Sequence, residues 1–280
     1  MRWIDSHVHL FSDNDENSKI PLLFPINKLN SYDNYSEQLN EQEPEAIVVV
    51  DFSKSKDSQH VISSLEELKQ AGKKAVGIIK GDIANENTKK WIEREDIKGI
   101  RLYAINSVPD LSSPQWQELF TQLKENSKHI LVFGSGNNLI GLINQIPNDI
   151  TILVDHLGLP KIGENDNNFA QLLEIARKRN NIFFKGPGYR TNLDIEKVKP
   201  IVKRIKDTVG IDKLILGASD APFAGPVLDS SPEYEGKNYC EYMNFKNVLD
   251  FISELANDSS SNESEIEKTL YYNAKELYGF

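Results

Sequence analysis

The chain of 280 residues contains a single cysteine, Cys240. One thiol excludes an internal disulfide, and a reducing cytoplasm is the expected location. Apolar runs are short: none approaches the ~20 residues needed to span a bilayer. The N-terminus also lacks the charged-then-apolar layout of a secretion signal, so no membrane partner is expected. Positive charge is scarce, with 32 Lys and Arg against 42 Asp and Glu and a formal charge of -10. A nucleic-acid partner would need a basic face to meet its phosphates, so none is expected. A Gly-x-Gly-x-x-Gly fingerprint after the first strand-like run is missing too, which removes the main support for a dinucleotide-binding open sheet.

The hydrophobic share, 39% with 9% aromatics, is enough for one sizeable core in a chain of this length. It is distributed as short β-branched or apolar runs, each ending in a polar residue. Ile4 leads into Asp5-Ser6-His7-Val8-His9, residues 45–50 end at Asp51, 74–79 at Lys80 and 97–100 at Arg101. Residues 130–133 lead into Gly134-Ser135-Gly136, 151–154 precede Asp155-His156, 182–184 precede Lys185, and 214–216 precede Gly217-Ala218-Ser219-Asp220. Helical spacing fills the intervals. Ser113 can cap a helix with Pro114 at its first position, after which Trp116, Leu119, Phe120 and Leu123 repeat at i, i+3, i+4 and i+7. Phe169, Leu172, Leu173 and Ala176 share that period, as do Ile62, Leu65 and Leu68.

Strands alternating with helices imply a parallel sheet. Eight such units predict one (β/α)8 TIM barrel spanning residues 1–280 as a single domain, with its active site at the C-terminal ends of the strands. Two polar stretches, 11–44 and 221–239, are long enough to cover the barrel mouth. The first is expected to hold little beyond a short helix. Residues 257–264 read as a solvated linker before a final helix.

In an extended strand alternate side chains share a face, so His7 and His9 point the same way and can hold one metal ion or one anionic substrate. Both could instead be structural, bonded to backbone groups, and His156 could be a satisfied buried histidine. Asp220 is a carboxylate within reach of water at the mouth, or else a cap of the next segment. Arg101, Lys185 and Arg190 suit an acidic substrate, because a guanidinium fork matches carboxylate geometry and Lys adds a point charge. Arg101 and Lys185 could equally be ion-pair partners at strand ends. Gly134-Ser135-Gly136-Asn137 reads as a tight turn, since no Gly-Lys-Ser/Thr follows to make a phosphate loop. Cys240 has no basic neighbour to activate it, and His60 and His129 carry no inferred role.

The run Asp5-Ser6-His7-Val8-His9-Leu10, together with Ile97-Lys98-Gly99-Ile100-Arg101-Leu102, Val154-Asp155-His156-Leu157-Gly158-Leu159-Pro160 and Leu216-Gly217-Ala218-Ser219-Asp220-Ala221-Pro222, resembles the amidohydrolase superfamily. The resemblance is to the branch of metal-dependent or metal-optional hydrolases that includes dicarboxylate and sugar lactonases, and it extends to the C-terminal stretch 272–279. It implies that His7, His9, His156 and Asp220 form a mononuclear metal shell, zinc being the expected ion, with metal-free action as the alternative mode of the branch. A second metal is not expected: Arg101 stands where binuclear members carry a bridging residue, and its fixed positive charge would repel another cation.

The implied activity is hydrolysis of a small acyl substrate, a lactone of a sugar acid or dicarboxylic acid. Asp220 would act as general base, His156 as a second catalytic group, and Arg101, Lys185 and Arg190 as substrate-binding residues. Decarboxylation or hydration of a small dicarboxylate is the nearest alternative. The first- and eighth-strand motifs also resemble those of metal-dependent DNases on this barrel, and a non-catalytic sugar- or acid-binding barrel stays open.

Overall fold

The structure, a computed structural model, describes residues 1–11, 31–163, 166–228 and 232–280. All eight expected strands form: β1 (Asp5–Val8), β2 (Ile47–Val50), β3 (Ala75–Lys80), β4 (Ile97–Ala104), β5 (His129–Gly134), β6 (Ile152–Val154), β7 (Ile182–Lys185) and β8 (Leu214–Ile215). They make one sheet in sequence order, each neighbouring pair parallel. Helices α1 (Tyr32–Leu39), α2 (Gln59–Gln70), α3 (Glu86–Ile92), α4 (Pro114–Glu125), α5 (Gly136–Ile143), α6 (Asn167–Arg179) and α7 (Ile195–Val209) lie between successive strands. After β8 come α8 (Phe245–Ser259), α9 (Glu263–Glu267), a π turn (Lys268–Tyr272) and α10 (Asn273–Tyr278). The whole is a (β/α)8 barrel, as the alternation of runs predicts.

Local chemistry accounts for the helix starts. The Ser113 hydroxyl accepts from Trp116 N, Pro114 fills the first turn, and Trp116, Leu119, Phe120 and Leu123 are all buried. Asp166 caps α6 in the same way through Phe169 N. Two expectations are adjusted. The stretch 257–264 is mostly helical, because Leu255, Ala256 and Ser259 extend the buried face of α8 and leave only 260–262 as a link. Ser135 stands at the N-cap of α5, so the expected tight turn opens directly into a helix. Helix α1 is the short helix expected within 11–44; residues 12–30 of that stretch lie outside the described residues.

Both faces of the strands are buried, which is why the runs are apolar throughout instead of alternating. Val48, Val50, Ile78, Leu131, Leu153 and Ile215 fill the barrel interior. Their neighbours Ile47, Val49, Ile130, Val132, Ile152 and Val154 pack outward against the helices.

The seam between β8 and β1 closes without a regular ladder. Ser6 N donates to Gly217 O at 2.8 Å, Asp220 N to His7 O at 2.7 Å and His9 N to Ala221 O at 2.9 Å. Lower down, the π turn contributes carbonyls: Leu216 N donates to Thr269 O and Ile4 N to Leu270 O. A side chain at Gly217 would put its Cβ 2.7 Å from Ile4 O and 2.8 Å from Leu270 O, so only glycine fits this crossing. The same seam fixes His7 and Asp220 relative to one another.

At the opposite end of the barrel His129 opens β5, buried against the Tyr278 ring. Its Nε2 has no hydrogen-bond partner among the described residues. Burial, helped by Lys185, Lys98 and Lys128, pushes this imidazole down to about 3. The unfolded chain takes up a proton near pH 6.5, whereas the folded chain stays neutral until about pH 3. Stability is therefore lost as pH falls through that window, with a slope of at most about 1.4 kcal/mol per pH unit from this group. Urea melts between pH 7 and 4.5 should show the loss, and His129→Phe should make the slope shallower. An unchanged slope would contradict the assignment.

Candidate active site

Strand periodicity and the seam bring the four expected residues together. His7 Nε2 lies 3.3 Å and His9 Nε2 3.2 Å from Asp220 Oδ1. The His7 ring stacks on His156, centroids 5.3 Å apart, and meets His9 edge-on at 5.0 Å. The His9 orientation is fixed from behind by Nδ1, 2.8 Å from Val50 O. All four side chains are buried at the C-terminal end of the barrel.

His156 reaches this cluster through an unusual turn after β6. His156, Leu157, Gly158 and Leu159 have φ of 51°, 58°, 84° and 46° in succession. Each non-glycine residue in this left-handed region costs on the order of 1 kcal/mol, and such strain persists where the surrounding structure over-determines it. Here Thr191 Oγ1 and Leu159 N both donate to His156 O. Asp220 itself has φ 54°.

A residue without an inferred role sits at the electrostatic centre. Asp155 Oδ2 pairs with Arg101 Nη2 at 2.8 Å, and Oδ1 lies 3.2 Å from both Lys185 Nζ and His7 Nδ1. Burial opposes its ionisation, but Lys185 and then Arg101 outweigh burial and hold the carboxyl well below the usual range. The clue in the sequence was a carboxylate at a strand end beside a histidine; its partners were invisible there.

Arg101 and Lys185 therefore take the ion-pair role among the two considered for them. Lys185 is fully buried and also donates to Ser6 O. Arg101 donates to Asp51 O through Nη1 and lies 5.1 Å from both the Tyr103 and Phe133 ring centroids. Arg190, from the turn Gly188–Arg190, pairs through Nε with Asp220 Oδ2, donates to Ala224 O, and lies 4.4 Å from the Tyr239 ring centroid. Burial opposes ionisation of Asp220 as well; the Arg190 guanidinium outweighs it and keeps the carboxyl well below its ordinary value. Burial and then Lys185 push His7 far down, and burial pushes His156 to about 4. The neutral imidazoles of His7 and His156 thus lie among charged carboxylates.

A further carboxylate, Asp5, ties the two halves of the seam. Its oxygens accept from Ser219 N and Oγ, from Tyr35 OH and from His7 N. Burial raises it to about 6 in spite of those donors. On the far side, Asp51 accepts from Ser55, Ser58 and Tyr103 hydroxyls, and buried His60 stacks on Phe11. Cys240 is half-buried, and burial followed by Glu241 pushes its thiol up, in keeping with an inert residue.

The donors fit a divalent ion. His7, Asp155 and His156 form one group, and His7, His9 and Asp220 another, with donor atoms in each within 4.8 Å of one another. Neutral histidine and ionised carboxylate are the protonation states that metal binding requires. His156 Nδ1 is buried without a hydrogen-bond partner among the described residues, and the two His7 nitrogens meet carboxylate oxygens at 3.2 and 3.3 Å. Because both groups share His7 and lie amid three buried cations, one tight ion per chain is the expected maximum. Elemental analysis should return one equivalent or none, and His7→Ala should abolish any binding. Two equivalents would contradict the charge argument.

Beside the cluster lies a cavity of about 730 Å³. Its lining includes buried Arg190 and Thr191 and half-buried Phe133. Phe133 also meets the His156 ring edge-on at 5.1 Å, so cluster and cavity share a wall. Among the described residues, no helix is long and apolar enough to cross a membrane.

A strand-end cluster of three histidines and two aspartates at the C-terminal face of a (β/α)8 barrel is placed where enzymes of this fold carry their active sites. The chain belongs to the amidohydrolase family, whose model matches residues 4–280. Among solved structures it is similar to a probable 2-pyrone-4,6-dicarboxylic acid hydrolase of Acinetobacter baumannii with citric acid bound, with a TM-score of 0.79, 18% identity and 100% of both chains covered. A putative hydrolase of the same description from Pseudomonas putida gives 0.76 at 19% identity, over 99% of this chain and 97% of that one. An amidohydrolase of Burkholderia multivorans with bound zinc gives 0.75 at 15% identity, both chains covered in full. At such identities the likeness is one of fold. No curated protein matches the sequence.

Proposed function

We propose that the chain hydrolyses a lactone or related acyl bond in a small acid, with Asp220 as general base. The observation that carries this reading is one ionised carboxylate, Asp220, facing two imidazoles beside a cavity large enough for a substrate. Water would pass a proton to Asp220 as its oxygen bonds to the acyl carbon. His156 would stabilise the oxyanion through a hydrogen bond, and Arg101, held in its ion pair with Asp155, would add positive charge from behind the cluster. Collapse breaks the acyl C–O bond, and the proton held on Asp220 goes to the departing oxygen, leaving a hydroxy acid. A divalent ion held by His7, His9, His156 and Asp220 would supply polarisation of the carbonyl and a more acidic water.

Arg190 has two roles in this reading. It neutralises Asp220 in the free enzyme, and it borders the cavity. A substrate carboxylate competes with Asp220 for the guanidinium, and its capture leaves Asp220 a stronger base. Lys185, fully buried against Asp155, acts as a positioning charge for the cluster. Two neighbours described as 2-pyrone-4,6-dicarboxylic acid hydrolases, one of them with citric acid bound, support an acidic substrate.

A panel of lactones, dicarboxylates and phosphodiesters tests the reading. Acid-bearing lactones should open, and Arg190→Met should raise their KM about ten- to hundredfold, the worth of one charged hydrogen-bonded pair, with a smaller effect on neutral lactones. Release of CO2 from a dicarboxylate without any lactone opening would favour decarboxylation instead. Cleavage of phosphodiesters alone would favour the nuclease reading.

A further inference from the structure

The cavity beside Arg190 has two ends of different chemistry. One end carries Arg190, which pairs with Asp220, and Phe133, which meets the His156 ring, so the cavity adjoins the cluster through these two lining residues. Its outer end is bordered by Ile105, Ile162 and Leu228, which are 50%, 40% and 51% exposed. These are three of the six large hydrophobic residues that are exposed among the described residues. They come from the loops after β4, β6 and β8, so sequence proximity does not explain their meeting. Leu159 and Pro160, delivered by the left-handed turn that also presents His156, add to the apolar lining.

Scattered single apolar side chains on a surface need no explanation, whereas several from separate loops around one cavity mark a binding surface. A compact diacid engaged by Arg190 and the histidines would leave this outer wall in water. Lys161 and Lys197 also line the cavity, and Lys197 lies 3.8 Å from Asp194. Such residues cover apolar surface with their alkyl stems while the charged heads stay in water.

We propose that the substrate is amphipathic: an acid whose reacting end sits at Asp220 and Arg190 and which carries an alkyl substituent seated between Ile105, Ile162 and Leu228. This rests on the acyl-hydrolase reading only for the identity of the reacting end. The substituent removes the three rim residues from water, and that transfer supplies selectivity for longer substrates over short ones. Ile162 and Leu228 are then specificity-determining residues.

Calorimetric titration with acetate, butyrate, hexanoate and octanoate, together with suberate and citrate, tests the subsite without requiring turnover. Affinity should rise about two- to fourfold per added methylene, fourfold corresponding to full burial. The heat-capacity change should become more negative with length, as apolar burial requires. Ile162→Asp and Leu228→Asp should each lower the octanoate-to-acetate affinity ratio at least tenfold, and Leu228→Met should preserve it. Both positions are exposed, so circular dichroism of the variants should match the parent. Affinity that is flat with length, suberate or citrate binding tighter than octanoate, or no binding at any length overturns the inference. If the length dependence holds while no lactone opens, the hydrolase reading fails and the subsite stands.

Discussion

Asp220→Asn is expected to lower kcat for lactone hydrolysis by about 10²–10⁴-fold, the usual worth of a positioned general base. Asparagine keeps the shape and one acceptor oxygen, so the contacts at His7 Nε2 and His9 Nε2 retain a partner of similar size. What disappears is the ability to hold a proton between the attack of water and the departure of the leaving oxygen. Arg190 also loses its counter-charge, but it keeps Ala224 O, the Tyr239 face and some solvent contact. The folded state should therefore survive, and a melting curve recorded beside the kinetics separates loss of base from loss of structure. A variant that folds and turns over nearly as fast as the parent would remove Asp220 from the mechanism.

Asp155→Ala should have the largest effect on stability, a loss of about 3–5 kcal/mol, as expected when one partner of a buried ion pair is removed. Two cations depend on this carboxylate. Lys185 is fully buried with Ser6 O as its other close acceptor, and Arg101 has its Nε without a partner among the described residues. Neither can turn to water to recover solvation. For a chain of this length the loss corresponds to a fall in Tm on the order of 5–10 °C. Pairing Asp155→Leu with Lys185→Met removes one unmatched charge and should recover part of it, leaving Arg101 as the remaining source of instability. If the single variant melted within a degree of the parent, the cluster would not be held together by these pairs.

The two predictions differ in how far the sequence reached. Asp220 is legible in the sequence because a carboxylate follows an apolar run and three small residues, a local pattern that survives whatever the rest of the chain does. Asp155 stands in an equally local pattern, one residue before His156. Its importance comes from Arg101 and Lys185, which belong to other strands, and nothing in residues 151–156 announces them. The same limit applied to those two cations. A cation at a strand end serves a substrate or a neighbouring carboxylate equally well until the barrel closes and brings Asp155 to 2.8 Å from one and 3.2 Å from the other.

The stretch 257–264 shows a related limit at the level of elements. Its polar composition reads as a linker, but the helix it belongs to is judged by one buried face, and Ser259 lies on that face. Composition averages over both faces of a helix and so conceals the side that packs. Where the period was strong, as in α4 with Ser113, Pro114 and four apolar residues at helical spacing, sequence and structure agree.

By itself the sequence determined what depends on near neighbours: the eight strands, the helix starts, the placing of polar groups at strand ends, and therefore the barrel and the histidine pair at the end of β1. Hydrogen-bond geometry and side-chain period act over a few residues, and so they can be read from a few residues. Tertiary structure alone decided the pairing of Asp155, the bond network from Asp5 to Ser219 across 214 positions, and the gathering of Ile105, Ile162 and Leu228 around one cavity. It also decided the left-handed turn at His156, whose strain is sustained by contacts such as that from Thr191. Each of these joins residues that no local period relates, and they meet only because closure of the sheet fixes the distances between strand ends.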